Sequence, residues 1–110
     1  MEKETVLKLK KALDDKFALD IKILDIGQIS TMADYFVIAT ATNAPQMLAL
    51  TETTEELLTN SGFHLSHIEG QNTAKWILLD FGSIIVHLFD KESREFYNLE
   101  RVWRDAVVVE

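Results

Sequence analysis

The chain has 110 residues, a net charge of −7 and no cysteine. That length predicts a single domain over residues 1–110, large enough to bury a core without metal or disulfide staples. The missing cysteines exclude disulfides, thiol catalysis and zinc-thiolate sites. A 47% hydrophobic content with one proline argues against a mainly disordered chain. The opening Met1-Glu2-Lys3-Glu4 is too charged for a signal peptide. The longest uncharged apolar runs, such as Tyr35 to Ala41, fall far short of the roughly 20 residues that span a bilayer. A soluble, cytoplasmic protein with no membrane association is the expectation. The acidic balance opposes binding to a phosphate backbone, so no sequence-specific nucleic-acid binding is expected. It fits either a basic protein partner or simple solubility, and composition does not choose between them.

In chain order, Val6, Leu9, Leu13 and Phe17 recur at helical spacing and predict a first helix over about residues 3–17. A short strand follows at Lys22 to Ile26, then a loop from Gly27 to Ala33. Tyr35-Phe36-Val37-Ile38-Ala39-Thr40-Ala41 is continuously apolar and rich in β-formers, which predicts a central strand buried on both faces. Thr42-Asn43-Ala44-Pro45 reads as a helix start, with Thr42 or Asn43 as cap and Pro45 in the first turn. Met47, Leu50, Thr54, Leu57 and Leu58 form its inward stripe, and Gly62 ends it in a left-handed conformation. Strands are predicted at His64 to Glu69, Lys75 to Asp80 and Ile84 to Phe89, the last two joined as a hairpin through Phe81-Gly82-Ser83. Phe96, Leu99 and Trp103 predict a closing helix over about residues 92–105. The sum is an α/β fold: a mixed five-stranded sheet with packed helices. The hairpin supplies an antiparallel pair, and the helix between Ala41 and His64 permits a parallel crossover.

Catalytic chemistry finds little support. His64, His67 and His87 lack the spacing of a helical metal pair, so solvated or hydrogen-bonded histidines are the expectation. Gly82-Ser83 resembles the glycine-serine pair of nucleotidyltransferases, but those enzymes need two acids one position apart to hold magnesium. Asp90 and Glu92 have that spacing, yet lie past the strand, where they read as acids at a helix N-terminus. No Walker loop, nucleophile elbow or dinucleotide fingerprint is present. Neither an enzyme nor a cofactor is expected.

The strand Lys75-Trp76-Ile77-Leu78-Leu79-Asp80 carries the contact signal. Alternation puts Ile77 and Leu79 on one side and Trp76, Leu78 and Asp80 on the other. The next strand divides into Ile84, Val86 and Leu88 against Ile85, His87 and Phe89. Apolar area on both faces must meet a helix, a twin subunit or another protein. One reading has the C-terminal helix covering the second face, with Trp103 as its anchor. The preferred reading leaves Trp76 partly free as a docking anchor, since tryptophan dominates interface hot spots. Leu78 lies beside it, Asp34, Glu69, Asp80 and Asp90 form an acidic rim, and Lys75 is a neighbouring candidate.

Ala33-Asp34-Tyr35-Phe36-Val37-Ile38-Ala39-Thr40, Glu69-Gly70 with Trp76, Leu79-Asp80-Phe81-Gly82, Val86-His87-Leu88-Phe89 and Arg94-Glu95-Phe96-Tyr97-Asn98-Leu99-Glu100 with Trp103 run in order along the chain. Together they resemble the Iojap-like family of ribosomal silencing factors, over about residues 5–105. The resemblance implies a nucleotidyltransferase-like fold lacking the catalytic acids. It also implies binding to the large ribosomal subunit through ribosomal protein fourteen, repression of translation by blocking subunit joining under nutrient limitation, and a homodimer when free. The family commonly has Gly, Ser and a basic pair after the central strand, where this chain reads Ala41-Thr42-Asn43-Ala44-Pro45-Gln46. The alternatives are a small homodimeric interaction module and a remnant nucleotide binder.

Overall fold

The computed structural model describes residues 2–109. Its elements are α1 (Glu2–Asp15), β1 (Leu19–Asp25), β2 (Tyr35–Thr40), α2 (Ala44–Asn60), β3 (His67–Glu69), β4 (Trp76–Asp80), β5 (Ile84–Phe89), α3 (Lys91–Tyr97), α4 (Leu99–Val102) and β6 (Val107–Val109). The sheet order is β3-β4-β5-β2-β1-β6. The β2–β5 pair is parallel, as the intervening helix permits, and every other pair is antiparallel. The architecture is therefore a mixed α/β sheet with packed helices.

The expected count of five strands is corrected to six. The added strand is the run Val107-Val108-Val109, whose β-branched side chains favour extended backbone and which pairs with β1 at the sheet edge. The expected closing helix is also shorter and broken. Asn98 adopts a left-handed conformation (φ 44°) that ends α3 and separates it from the single turn of α4. Asparagine tolerates this region better than most residues, so the periodicity of Phe96, Leu99 and Trp103 survives a kink. Only His67–Glu69 of the expected third strand is ladder-paired.

α1 and α2 cover one face of the sheet. Val6, Leu9 and Leu13 are fully buried there against Ile23, Val37, Val86 and Leu88. Each such side chain contributes roughly 1.5–3 kcal/mol relative to exposure. Phe17 departs from the expected stripe: it lies past the helix end at φ 67°, 79% exposed. The start of α2 follows the sequence reading. Asn43 Oδ1 accepts the Gln46 backbone N–H at 2.8 Å, and Pro45 occupies the first turn. Gln46 completes the join, because its Nε2 donates to the carbonyls of Lys16 and Phe17 at 3.1 and 3.0 Å. The uncharged segment 41–46 thus ties the end of α1 to the start of α2.

Candidate partner-binding face

The opposite face of the sheet carries the candidate site. Directly opposed residues on neighbouring strands point to the same side. The register pairs Glu69 with Leu78, Leu78 with His87, Trp76 with Phe89 and Asp80 with Ile85. Trp76, Leu78, Asp80 and Glu69 therefore share this face with Ile85, His87 and Phe89. Further along the sheet Phe36, Ile38 and Leu24 extend it as a second apolar cluster.

The C-terminal segment covers this face only in part. Leu99, Trp103 and Ala106 pack on the cluster, with the Trp103 ring edge-on to Phe36 at 5.2 Å. Tyr97, at the end of α3, meets Trp76 with ring centroids 4.5 Å apart. Trp76 also contacts Phe89 at 4.9 Å, yet its side chain stays half-buried. In the C-terminal segment Phe96, edge-on to Tyr97 at 5.0 Å, is 79% exposed and Val102 70%. Trp103 thus covers one part of this surface, while Trp76 stays half-buried on another.

Two local devices fix this arrangement. Gly70 turns the chain between β3 and β4 at φ +83°, and a Cβ there would collide with the Trp76 carbonyl oxygen. Only glycine lets the turn lie against the strand at the tryptophan. On the other side Arg94, buried under α3, donates through Nη1 to Thr40 Oγ1 at 2.8 Å and through Nη2 to the Asp20 carbonyl at 2.6 Å. Its guanidinium also pairs with Glu100 at 3.1 Å, across the Asn98 kink. That clasp holds α3 over the sheet and Tyr97 over the indole.

The charged candidates divide by position. Glu69 is exposed and pairs with His67 at 3.2 Å. Lys75 is exposed next to Trp76. Asp80 Oδ1 accepts the Gly82 N–H at 2.8 Å, so this carboxylate also shapes the β4–β5 turn. Asp34 stands apart: it precedes Tyr35, whose strand partner is Ile84, whereas Trp76 pairs with Phe89 at the far end of β5. Its carboxyl pKa is raised above the usual value chiefly by Glu2, with burial and Asp25 adding to the effect. The structure therefore brings Trp76, Leu78 and Glu69 onto one face with Lys75 beside it, whereas Asp80, on the same face, lies toward the β4–β5 turn, the end of the sheet where the Asp34 N–H donates to the Ser83 carbonyl at 2.8 Å.

Asp90 and Glu92 act as helix-start acids. Asp90 Oδ1 caps α3 by accepting the Ser93 N–H at 2.7 Å, and Glu92 lies in the first turn. Among the described residues no group of three His, Asp or Glu side chains could hold a metal ion. Sequence reasoning gave no role to Arg94 or Tyr97, and of His87 it expected only a solvated or hydrogen-bonded ring. Of these, His87 had a legible signal: a polar ring inside the apolar run Ile84-Ile85-Val86-His87-Leu88-Phe89, on the Trp76 side by alternation.

Comparison with known proteins agrees with this architecture. The family described as "Ribosomal silencing factor during starvation" matches residues 1–110. The ribosomal silencing factor of Bacillus subtilis is 38% identical over 107 residues, covering 96% of this chain and 91% of that protein. That of Zymomonas mobilis is 43% identical over 101 residues, covering 91% and 76%. The chloroplastic protein Iojap of Arabidopsis thaliana is 33% identical over 94% of this chain, which spans 43% of that longer protein. A crystal structure from Bacillus halodurans superposes with a TM-score of 0.80 at 32% identity, covering 97% of this chain and 98% of that one. Another from Chromobacterium violaceum gives 0.85 at 27% identity, covering 91% and 83%. On its sequence over the full length and on its fold, the chain belongs to the ribosomal silencing factor family.

Proposed function

We propose that this protein represses translation without catalysis, by docking its Trp76 face on ribosomal protein fourteen of the large subunit and obstructing the small one. The observation that carries the reading is the half-buried indole of Trp76 on a face the C-terminal segment covers only in part. An aromatic anchor with Leu78 on its face and Tyr97 against its ring supplies the apolar centre of an interface, and Glu69, Asp80 and Lys75 supply a polar rim. The net charge of −7 suits a basic protein wall. Asp34, at the far end of the sheet, adds to the overall field rather than to the contact.

Silencing then needs only bulk. The molecule measures 34 × 31 × 24 Å, too thick to remain between two ribosomal subunits in contact. An interface of roughly 800 Å² per partner holds a protein of this size. The place of action is the cytoplasm, where ribosomes work, and no described helix is long and apolar enough to cross a membrane. Sedimentation with separated subunits tests the proposal. The protein should travel with the large subunit only, and the joining of purified subunits should fall as it is added. Normal joining at saturating protein sinks the mechanism.

A homodimer in the free state is a second reading, favoured by β6. Among the described residues the outer edge of this strand has no partner, and Val107 and Val108 are 65% and 49% exposed. Unpaired edges of this kind invite strand pairing. A mass that rises with concentration supports it, and a constant monomer mass refutes it.

A further inference from the structure

Trp76 and His87 are diagonal neighbours across the β4–β5 pair, and the indole Nε1–H donates to His87 Nδ1 at 3.2 Å. Indole has one hydrogen-bond donor and no acceptor. That donor is therefore already engaged from inside the protein, and what the indole has left to offer a partner is its carbon surface.

His87 is only 4% exposed and lies among rings: Phe36 edge-on at 4.7 Å and Phe89 stacked at 6.2 Å. With Nδ1 accepting, the neutral ring carries its proton on Nε2. That Nε2 is buried with no hydrogen-bond partner among the described residues. A leucine or phenylalanine would fill this position without stranding a polar atom. The imidazole thus makes one polar contact, with Trp76, at the expense of an unmet one.

We infer that His87 is a positioning residue of the docking face: it holds the Trp76 indole in one orientation by accepting its N–H, so the partner wall that receives Trp76 is apolar and offers it no hydrogen-bond acceptor. This inference rests on the docking reading above. It deepens that reading by specifying the chemistry of the receiving pocket and the pre-ordering of the anchor.

The experiment combines nitrogen-15 NMR of the indole and imidazole with large-subunit binding. In the unmutated protein the Trp76 indole proton should exchange slowly, and His87 should be neutral with its proton on Nε2. His87→Phe keeps a ring and removes the acceptor. It should speed indole exchange and weaken binding about 3- to 10-fold, the loss expected when one side chain must be ordered on binding. His87→Asn places an amide oxygen near Nδ1 and should recover part of both effects. Thermal melting checks each variant. If His87→Phe fails to fold, His87→Leu replaces it, and the tautomer of the unmutated protein decides independently. A proton on Nδ1, or folded variants that bind like the unmutated protein, overturns the inference. Unchanged binding by Trp76→Ala instead sinks the docking reading itself.

Discussion

Tyr97 lies against Trp76 with ring centroids 4.5 Å apart, although one ends a helix and the other begins a strand. The contact shows what the C-terminal segment does to the face. It shields one flank of the indole while Phe89 and His87 lie against others, and the half-buried ring still reaches solvent, so removing it opens no sealed cavity. Trp76→Ala should therefore keep the fold while weakening large-subunit binding by about 2 kcal/mol, a typical hot-spot cost. Thermal melting paired with subunit sedimentation reads both. A variant that unfolds would place Trp76 in the core instead.

Gly70 sets the neighbouring turn. Gly70→Ala combines a left-handed backbone with a collision at the Trp76 carbonyl. Strain of this kind costs about 1–3 kcal/mol, and backbone has little freedom to give way. A lower urea midpoint is expected, with the loss of protection from hydrogen exchange concentrated in β3. An unchanged midpoint would show that the turn has room to relax.

Much of this was legible in the sequence because one physical rule governed it. The alternation of Trp76, Leu78 and Asp80 against Ile77 and Leu79 survives in the sheet unaltered, since a strand has only two sides. The α2 start was legible because Asn43 and Pro45 act within their own turn. What escaped depends on distant partners. Arg94 reads as an ordinary surface cation until Thr40 and the Asp20 carbonyl are brought beneath it. The distance of Asp34 from Trp76 also escaped, because charge alone carries no position and only the strand register separates the two along β5. β6 was hidden by its brevity: three valines give too short a run to set a period.

His87 gives stability a pH dependence. Burial lowers its pKa from 6.5 to about 4, and the rings against it, Phe36, Trp76 and Phe89, are uncharged. Between those values the unfolded chain binds a proton that the folded chain refuses. The contribution is complete above about pH 6.5 and falls as pH drops toward 4. The full shift corresponds to about 3 kcal/mol at 1.36 kcal/mol per pKa unit. Urea unfolding of the unmutated protein and His87→Phe across this window should show a difference that narrows in the variant. Parallel pH curves would refute the assignment.

Arg94→Met tests the clasp over α3. Its guanidinium is buried, but the Glu100 side chain is 35% exposed, so water reaches the stranded carboxylate. The cost should accordingly fall below the 3–5 kcal/mol typical of breaking a fully buried pair, at about 2 kcal/mol. Hydrogen exchange should accelerate in α3 and α4 while α1 and α2 stay protected. Uniform acceleration would mean that Arg94 supports the whole fold rather than the strap.

Salt separates the acidic rim from the aromatic anchor. The chain carries 18 acidic residues against 11 lysines and arginines, so a basic docking wall is attracted over a distance that ions screen. The screening length falls from about 10 Å at 0.1 M to about 3 Å at 1 M. The Trp76 contact is short-range and apolar, and salt leaves such contacts largely intact. Affinity for the large subunit should therefore decline with added salt mainly through a slower on-rate, with a smaller change in off-rate. Removing the Glu69 charge with Glu69→Gln should flatten that decline, because the residue lies exposed opposite Leu78 on the Trp76 face. Asp34→Asn should alter it less, being at the other end of the sheet. If affinity is unmoved by salt, or if Asp34 matters as much as Glu69, the rim is not where the basic wall sits.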